Sequence, residues 1–246
     1  MLPANCQCAP AGGRGIIDIR RLARSIPGMV AHDLRHLAFV DGSAPRHRAD
    51  IARAVGSSCE RAALAAREAF SIVPGLQAFS WLSPGIDRLL ERASNPVADR
   101  ACTDGGRVLA AAAAELGASL RLCGRIVDRA RPTPGQPAAA AARTLLWFRD
   151  YSGRDEIVRA AGRFFSEHPG GTLADGELDA WLDTAGVPDP DLVLYAGGPL
   201  EPRDVLTWQG SYAEIWHTPE PSPESPAGDV RMAVADYLKR QRRFGR

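Results

Sequence analysis

An α/β fold, a mostly parallel sheet flanked by helices, is the fold class that this 246-residue sequence predicts. Short apolar runs of strand length alternate along the chain with longer segments whose apolar residues recur at helical spacing. This is the pattern of helices that cover both faces of a parallel sheet. Hydrophobic residues make up 45% of the chain and charged residues 24%, which is typical of a globular protein with a buried core. We therefore expect a single domain.

Residues 1–30 are predicted to be an N-terminal tail with a short helix, and the main domain is expected to span residues 31–246. The first apolar run of that domain, HLAFV at 36–40, ends abruptly at Asp41-Gly42. Such a run predicts a buried strand that is followed by a turn.

The next segments alternate between helix and strand. Ala and Leu recur at helical spacing in residues 48–70, which predicts an amphipathic helix, and residues 76–80 predict a second strand. Residues 86–117 have a helical pattern, with predicted breaks at Pro96 and at the glycine pair 105–106.

The second half of the chain continues this alternation. Strands are predicted at residues 119–124, 143–148 and 191–198. Residues 150–168 predict a turn and then a helix, and residues 174–186 predict a further helix with a C-terminal glycine cap.

The last segments complete the predicted domain. Residues 204–218 mix helical and extended patterns, 219–228 predict a Pro/Ser-rich loop, and 229–244 predict a terminal helix. Ligands of parallel sheets bind beyond the carboxyl ends of the strands. That rule places Asp41-Gly42 and residues 195–198 together at one rim.

The charge balance excludes one class of function. Lys and Arg total 30 against 29 Asp and Glu, a net charge of +1, so no basic field attracts nucleic acid. Lys239 is the only lysine, and the other basic residues of that count are arginines. Phosphate binding is one interpretation of this excess, since Arg is the better phosphate fork. A GC-rich coding sequence is the other, and it explains most of the arginines.

The sequence predicts a cytoplasmic protein. Five widely spaced cysteines favour reduced thiols, and the N-terminus lacks the pattern of a signal peptide. The longest uncharged apolar run, Val108 to Ala114, is too short to span a bilayer. At most a peripheral association with membranes is expected.

Seven stretches carry a resemblance to a known family. In chain order they are RHLAFVDG (35–42), QAFS (77–80), LRLCG (120–124), DYSGRDEIVRA (150–160), DPDLVLYAGG (189–198), LTWQGSYAEIW (206–216) and RRFGR (242–246). In order and spacing they resemble the motifs of the cis-prenyltransferases, the enzymes of undecaprenyl diphosphate synthase type. The resemblance covers roughly residues 30–246.

Several properties are implied by the resemblance. Family members have a parallel six-stranded sheet, form homodimers or heterodimers, and condense an allylic diphosphate with isopentenyl diphosphate using Mg²⁺. This chemistry needs a carboxylate-held Mg²⁺ at the diphosphate leaving group, Arg forks that clamp the second diphosphate, and an apolar tunnel for the growing chain.

The resemblance assigns a catalytic and metal-binding carboxylate. Asp41 falls on the family's catalytic aspartate and Mg²⁺ ligand, and Gly42 and Ser43 follow it at the diphosphate. An Asp that stabilises a turn is the alternative. Glu214 falls on the family's metal-associated glutamate, with a buried structural acid as its alternative. Arg154 matches a family arginine, or else forms an ion pair at a strand–helix turn.

The resemblance also assigns diphosphate-binding residues. Arg48 can be placed on an arginine that contacts the allylic diphosphate, and nearby Arg46 competes for that position. Arg243 and Gly245 match the R-x-G element that reaches into the partner's site, although a basic helix terminus is the alternative.

One family motif is degenerate in this chain. Both arginines of the R-x-S-G-E-x-R motif, which binds isopentenyl diphosphate, are replaced, by Tyr195 and Glu201. Because a carboxylate repels a diphosphate, the second-substrate site is expected to be broken. Arg203, two residues further on, is a candidate to compensate.

Three functions remain open. The favoured one is a divergent enzyme for Mg²⁺-dependent condensation or ionisation of an allylic prenyl diphosphate, acting as a homodimer or heterodimer. The alternative is a non-catalytic subunit that donates its R-x-G element to an intact cis-prenyltransferase. The third is a protein that binds an isoprenoid without chemistry.

Overall fold

A computed structural model describes residues 34–43, 50–91, 95–125, 142–200 and 204–240. The predicted N-terminal tail and its helix lie outside these residues. One sheet contains six strands, which are β1 (His36–Asp41), β2 (Ala78–Leu82), β3 (Ser119–Cys123), β4 (Thr144–Phe148), β5 (Leu192–Ala196) and β6 (Glu214–Thr218). Their order is β3-β4-β2-β1-β5-β6, and every pairing is parallel. The predicted α/β class and parallel six-stranded sheet are confirmed.

Helices flank this sheet. They are α1 (Ile51–Ile72), α2 (Pro84–Leu90), α3 (Asn95–Glu115), α4 (Gly153–Glu167) and α5 (Ala227–Tyr237), with a 3₁₀ helix at Asp175–Trp181. Within the described part of the chain, none of them combines the length and the apolar character that crossing a bilayer requires.

The two faces of the sheet are buried in different clusters. Leu37 and Phe39 of β1 pack with residues of α1, α3 and α5, whereas Ala38 and Val40 pack with Leu206 on the opposite face. Since both faces are covered, β1 is buried along its whole length. This double burial is the physical reason that the strand has a continuous apolar sequence.

Of the two breaks predicted in the helical segment after β2, the one near Pro96 is confirmed, since α2 ends at Leu90 and α3 begins at Asn95. The other is wrong, because helix α3 runs without interruption through Gly105 and Gly106. A Cβ on Gly105 would lie 2.7 Å from Sγ of Cys59 and 3.1 Å from Val55, both on α1. The glycine therefore lets α1 and α3 pack closely. Pro96 sits in the first turn of α3, where proline is tolerated.

Two further helix predictions need correction. The segment predicted as a helix at 174–186 forms only the short 3₁₀ helix, whose Leu178 and Trp181 pack against Phe164. The predicted terminal helix is α5, which begins at Ala227 and ends at Tyr237. In the mixed segment 204–218, turns come first and strand β6 follows.

Candidate functional site

Two loops meet at the carboxyl edge of the sheet, after the neighbouring strands β1 and β5. The N–H of Gly42 donates to the carbonyl of Ala196 at 2.8 Å. A Cβ on Gly42 would lie only 2.0 Å from the carbonyl oxygen of Gly197. Gly197 and Gly198 have φ of +91° and +72°, which favours glycine. Only residues without side chains allow this close approach.

The backbone amides of the four described residues Gly42, Ser43, Gly197 and Gly198 of these loops are already satisfied. The N–H of Ser43 donates to Oδ1 of Asp41 at 3.1 Å. The N–H groups of Gly197 and Gly198 donate to the carbonyls of Thr218 and Pro219. An anion at this rim must therefore be bound mainly by side chains.

Asp41 ends β1 at the centre of this rim, and its side chain is only 8% exposed. Helix α1 brings Arg61 against it, with Nε 3.3 Å from Oδ2 and Nη2 3.5 Å from Oδ1. The same Nη2 donates to Oγ of Ser225 at 3.3 Å, in the loop before α5. One guanidinium thus joins β1, α1 and this loop.

A second ion pair lies where β4 ends. Arg149 follows β4 and is buried, with its guanidinium over the ring of Trp147 and its Nε 3.3 Å from Oδ1 of Asp87 on α2. Burial raises the pKa of Asp87 to about 6, and the charge of Arg149 acts against that shift. The pair fixes α2 to the end of the sheet.

Glu214 lies at the other edge of the sheet. Asp41 is level with Ala196, whereas Glu214 opens β6 level with Leu192, four residues earlier on β5. That offset is about 13 Å along the strands. The carboxylate of Glu214 pairs with Arg240 at 3.0 Å. One chain therefore does not bring Asp41 and Glu214 together.

The remaining predicted residues divide into two groups. Arg46, Arg48, Arg203, Arg243 and Gly245 lie outside the described residues, as does Glu201. Arg154 is exposed at the start of α4, where its backbone N–H donates to Asp204 at 2.8 Å.

Tyr195, at the first of the two replaced family arginines, is buried within β5. Burial raises the pKa of its phenol to about 12, so this side chain is neutral at physiological pH. No positive charge is supplied at this position.

The strongest motif matches form a buried polar network rather than part of the rim. Glu156 of α4 accepts hydrogen bonds from the Tyr151 hydroxyl (2.5 Å), the Asp183 N–H (2.6 Å) and the amide of Gln209 (3.1 Å). Burial and the nearby Asp183 raise the pKa of Glu156. Arg159 pairs with Asp183 at 3.1 Å. The network joins α4, the segment after the 3₁₀ helix and the turns before β6.

The donor set is a poor match for a protein-built Mg²⁺ site. Mg²⁺ takes octahedral oxygen ligands, with carboxylates among them. Asp41 is already ion-paired with Arg61, and Glu214 with Arg240. In the described ranges, no group of three or more His, Cys, Asp or Glu side chains is arranged to hold a metal ion. The described residues of one chain therefore do not fit the family's metal.

A groove of about 380 Å³ lies beside the 3₁₀ helix, away from Asp41. Asp179, Thr184 and Asp189 are among its lining residues, and none of the lining residues is basic. Burial raises the pKa of Asp189, and Asp179 adds to the effect. Its acidic lining makes the groove unsuitable for a diphosphate.

Three residues of the rim have no signal in the sequence. Arg61, Arg149 and Ser225 belong to no motif among the seven stretches. Arg61 is 20 residues from Asp41 and 164 from Ser225. The position of Arg61 on the helix after Asp41 does not single it out, because the same helix also carries Arg53 and Arg67.

Comparisons with known proteins agree with this fold. The family model for prenyltransferases of undecaprenyl diphosphate synthase type matches residues 115–245, slightly more than half of the chain. The isoprenyl transferase of Wolinella succinogenes is 31% identical over 125 residues, which are 51% of this chain and 54% of the relative. That of Rhodopirellula baltica is 40% identical over 101 residues, 39% and 41% of the two chains. The chain thus spans about half the length of the curated relatives it matches.

Solved structures of low identity share the fold over a greater length. A probable undecaprenyl diphosphate synthase from Campylobacter jejuni has a TM-score of 0.59 at 23% identity, covering 87% of this chain and 99% of its own. Lavandulyl diphosphate synthase from Lavandula x intermedia, in complex with dimethylallyl diphosphate, has a TM-score of 0.63 at 21% identity, covering 86% and 98%. The chain belongs to the cis-prenyltransferase family of undecaprenyl diphosphate synthase type.

Proposed function

We propose that this chain binds a single allylic prenyl diphosphate at the rim around Asp41 and promotes its ionisation or condensation. The observation that carries the proposal is the position of Asp41, a nearly buried carboxylate at the carboxyl end of a central parallel strand. This is the edge where ligands of such sheets bind. Gly42 and Ser43, which follow Asp41, would border the same diphosphate.

The chemistry requires charge at the leaving group. When the allylic C–O bond breaks, the electron pair leaves with the diphosphate and a delocalised carbocation remains. Fixed positive charge at the rim stabilises the leaving anion. Below the rim, Trp81 stacks on Phe39 with ring centroids 4.7 Å apart, and because both rings are fully buried they support the strands that carry the rim.

A degenerate isopentenyl diphosphate site is part of the proposal. Tyr195 is buried and neutral where the family motif has an arginine, and Glu201 stands at the other arginine position. Without two guanidinium groups, the second diphosphate loses its charge-assisted hydrogen bonds. The chain would then act on one allylic diphosphate or use an unusual acceptor.

The similar proteins support the substrate class. Isoprenyl transferases are among the curated relatives, and the lavandulyl diphosphate synthase structure holds dimethylallyl diphosphate. Family members are generally Mg²⁺-dependent, so Mg²⁺ belongs in the assay. Arg46, Arg48, Arg203 and the R-x-G element at the C-terminus stay predicted diphosphate contacts.

The test is release of pyrophosphate from dimethylallyl and geranyl diphosphates by the purified chain with Mg²⁺. We expect slow but measurable release, and a loss of at least about tenfold in Asp41→Asn. Asp50→Asn is the matched control, since Asp50 is an exposed residue that pairs with Arg53 at the start of α1. No release from any allylic diphosphate, with or without isopentenyl diphosphate, would refute an enzymatic function of the isolated chain.

A non-catalytic partner subunit is the second candidate. The observation that favours it is the edge strand β6, where Ile215 is 44% exposed, next to Tyr212 at 71%. Exposed apolar side chains on and beside an edge strand favour association with another chain, either a second copy or an intact cis-prenyltransferase. This candidate predicts that an intact family member co-purifies with the chain and loses activity when the chain carries Arg243→Ala. An unchanged rate would exclude it.

A further inference from the structure

We propose that Arg61 takes the place of a metal ion on Asp41 and is itself the cation that binds the diphosphate. The inference rests on the proposed function, because it names the group that holds the same ligand at the same rim. The described carboxylates Asp41 and Glu214 are already ion-paired with arginines and do not form a Mg²⁺ site.

The carboxylate of Asp41 lies against an arginine of the same chain. Both carboxylate oxygens face the guanidinium of Arg61, at 3.3 Å and 3.5 Å. The carboxylate is therefore neutralised by a cation within its own chain. A divalent ion bound to the same oxygens would stand beside the positive guanidinium, in a place where only 8% of the Asp41 side chain is exposed. Poor screening by solvent makes that repulsion strong.

Arg61 has N–H donors with which it can bind a ligand. A guanidinium has five N–H donors in a planar fork. Hydrogen bonds to the described residues use Nε and Nη2, toward Asp41 and Ser225, and none of these bonds uses Nη1. The Arg61 side chain is 27% exposed, so solvent or a ligand reaches it. The two N–H groups of Nη1 are thus available for phosphate oxygens.

The guanidinium of Arg61 is held in its orientation before a ligand binds. Asp41 orients the guanidinium from the end of β1, and Ser225 orients it from the loop before α5. Two fixed contacts remove much of the rotamer freedom that a long side chain otherwise loses on binding. Asp41 is then a positioning residue for Arg61. Because the backbone amides of Gly42, Ser43, Gly197 and Gly198 are already used, they do not replace this function.

The consequence is a diphosphate site that works without a divalent ion. Arg61 compensates the charge of the bound diphosphate by charge-assisted hydrogen bonds. If the allylic C–O bond breaks, the same N–H groups stabilise the electron pair that stays on the departing oxygen. The allylic cation that remains then adds water or loses a proton to water, and no oxidant or reductant takes part.

The test is binding of inorganic pyrophosphate by isothermal titration calorimetry, once in EDTA and once in Mg²⁺. We expect the wild-type chain to bind in EDTA with an affinity within about threefold of that in Mg²⁺. Arg61→Ala should weaken binding in EDTA by about 30-fold or more, as expected for charged hydrogen bonds. Arg61→Lys keeps the charge but loses the fork, and should show an intermediate loss.

The control is Arg67→Ala, which removes an exposed arginine on the same helix that pairs with Glu115, and it should bind pyrophosphate as the wild type does. Circular dichroism checks that each variant is folded, and Arg61→Lys remains informative if Arg61→Ala is not.

The outcomes separate the two proposals. Wild-type binding that needs Mg²⁺, or wild-type affinity in a folded Arg61 variant in EDTA, would overturn the inference and leave the proposed function standing. No binding in either buffer would overturn both.

Discussion

The rim around Asp41 and the network around Glu156 differ in how well the family's sequence motifs identify them. The family model matches residues 115–245, which include the whole Glu156 network, whereas Asp41 and Arg61 precede the matched segment. The most recognisable motif residues hold buried structure together, whereas Asp41 and Arg61, the described residues proposed to act on the ligand, lie in the less recognisable half. Strong motif similarity in this chain therefore indicates the fold more directly than the chemistry.

The physical reason is the cost of change. Glu156 is fully buried and accepts three hydrogen bonds, so removal of its carboxylate leaves several buried donors without an acceptor. Arg61 is partly exposed and can exchange a protein contact for water. The network thus constrains its residues through stability, and the rim is more free to diverge.

The largest expected effect on stability comes from a mutation that disrupts the hydrogen-bond network around Glu156. Glu156→Ala should lower the free energy of unfolding by about 3–5 kcal/mol, since it leaves the Tyr151 hydroxyl, the Asp183 N–H and the Gln209 amide without their acceptor. Urea denaturation measures the change. Glu167→Ala, at the exposed end of the same helix, should stay within about 0.5 kcal/mol. Similar losses in the two variants would contradict the structural function of the network.

The next effect is a pH dependence of stability that arises at His36, at the opposite end of β1 from the rim. His36 is buried, its Nδ1 donates to the carbonyl of Pro188 (2.7 Å), and its Nε2 accepts from the hydroxyl of Ser80 (2.8 Å). Burial lowers the pKa of His36 from 6.5 to about 4, despite the Pro188 bond and the charge of Asp191. The unfolded chain therefore binds the proton first, and stability falls as the pH drops from about 6.5 toward 4. The loss amounts to about 3 kcal/mol.

Asp87 works in the opposite direction and must be removed to measure this loss. Its folded pKa is raised to about 6, so the folded chain binds the proton first and gains stability as the pH falls below 6. In an Asp87→Asn background, urea midpoints between pH 7 and pH 4 should show the loss due to His36. Adding His36→Asn should abolish the fall in stability between pH 6.5 and pH 4, and a fall that persists would assign the effect to another group.

A smaller effect on stability tests how closely the two loops of the rim approach each other. Gly42→Ala should cost about 1–3 kcal/mol, because the new Cβ would lie 2.0 Å from the carbonyl oxygen of Gly197 and must push β1 and β5 apart. Gly56→Ala in α1, with no atom within 4 Å of its new Cβ, should instead stabilise the chain by about 0.5–1 kcal/mol. Thermal melts of the two variants provide the comparison. Equal melting temperatures would contradict the close approach of the two loops.

The smallest effect on stability is expected at Asp41, where a mutation should reduce pyrophosphate release much more than it reduces stability. Asp41→Asn should lower the free energy of unfolding by about 1–2 kcal/mol, less than Glu156→Ala, because water can solvate the partly exposed Arg61 once the nearly buried carboxylate becomes an amide. An Asn side chain still accepts the Ser43 N–H, and Arg61 remains partly exposed. Urea denaturation of this variant, next to its loss of pyrophosphate release, tests the contrast with Glu156. A loss as large as that of Glu156→Ala would remove the contrast between the two regions.

The sequence predicted most of the fold because its signals are local. The first five strands are short, mostly apolar runs, interrupted only by Ser80 in β2 and Arg121 in β3 after their first residues, and each ends near turn residues or at a helix start. Strand β6 is different, since Glu214 and His217 interrupt its apolar residues and its segment begins with turns, so only the family resemblance implied a sixth strand. The helix through Gly105 and Gly106 was missed because local propensity disfavours glycine there, whereas close packing of α1 on α3 requires it.

The sequence by itself determined the parallel sheet and the position of Asp41 at the end of a buried strand, because periodicity and turn residues act over a few neighbouring positions. The motif resemblance, also a property of the sequence, determined the family. Only the tertiary structure decided which charge faces Asp41. The contact with Arg61 spans 20 residues, that with Ser225 spans 164, and Glu214 lies at the far edge of the sheet. Such contacts depend on how helices and loops pack on the sheet, and that packing assigns the cation at the rim to the chain itself.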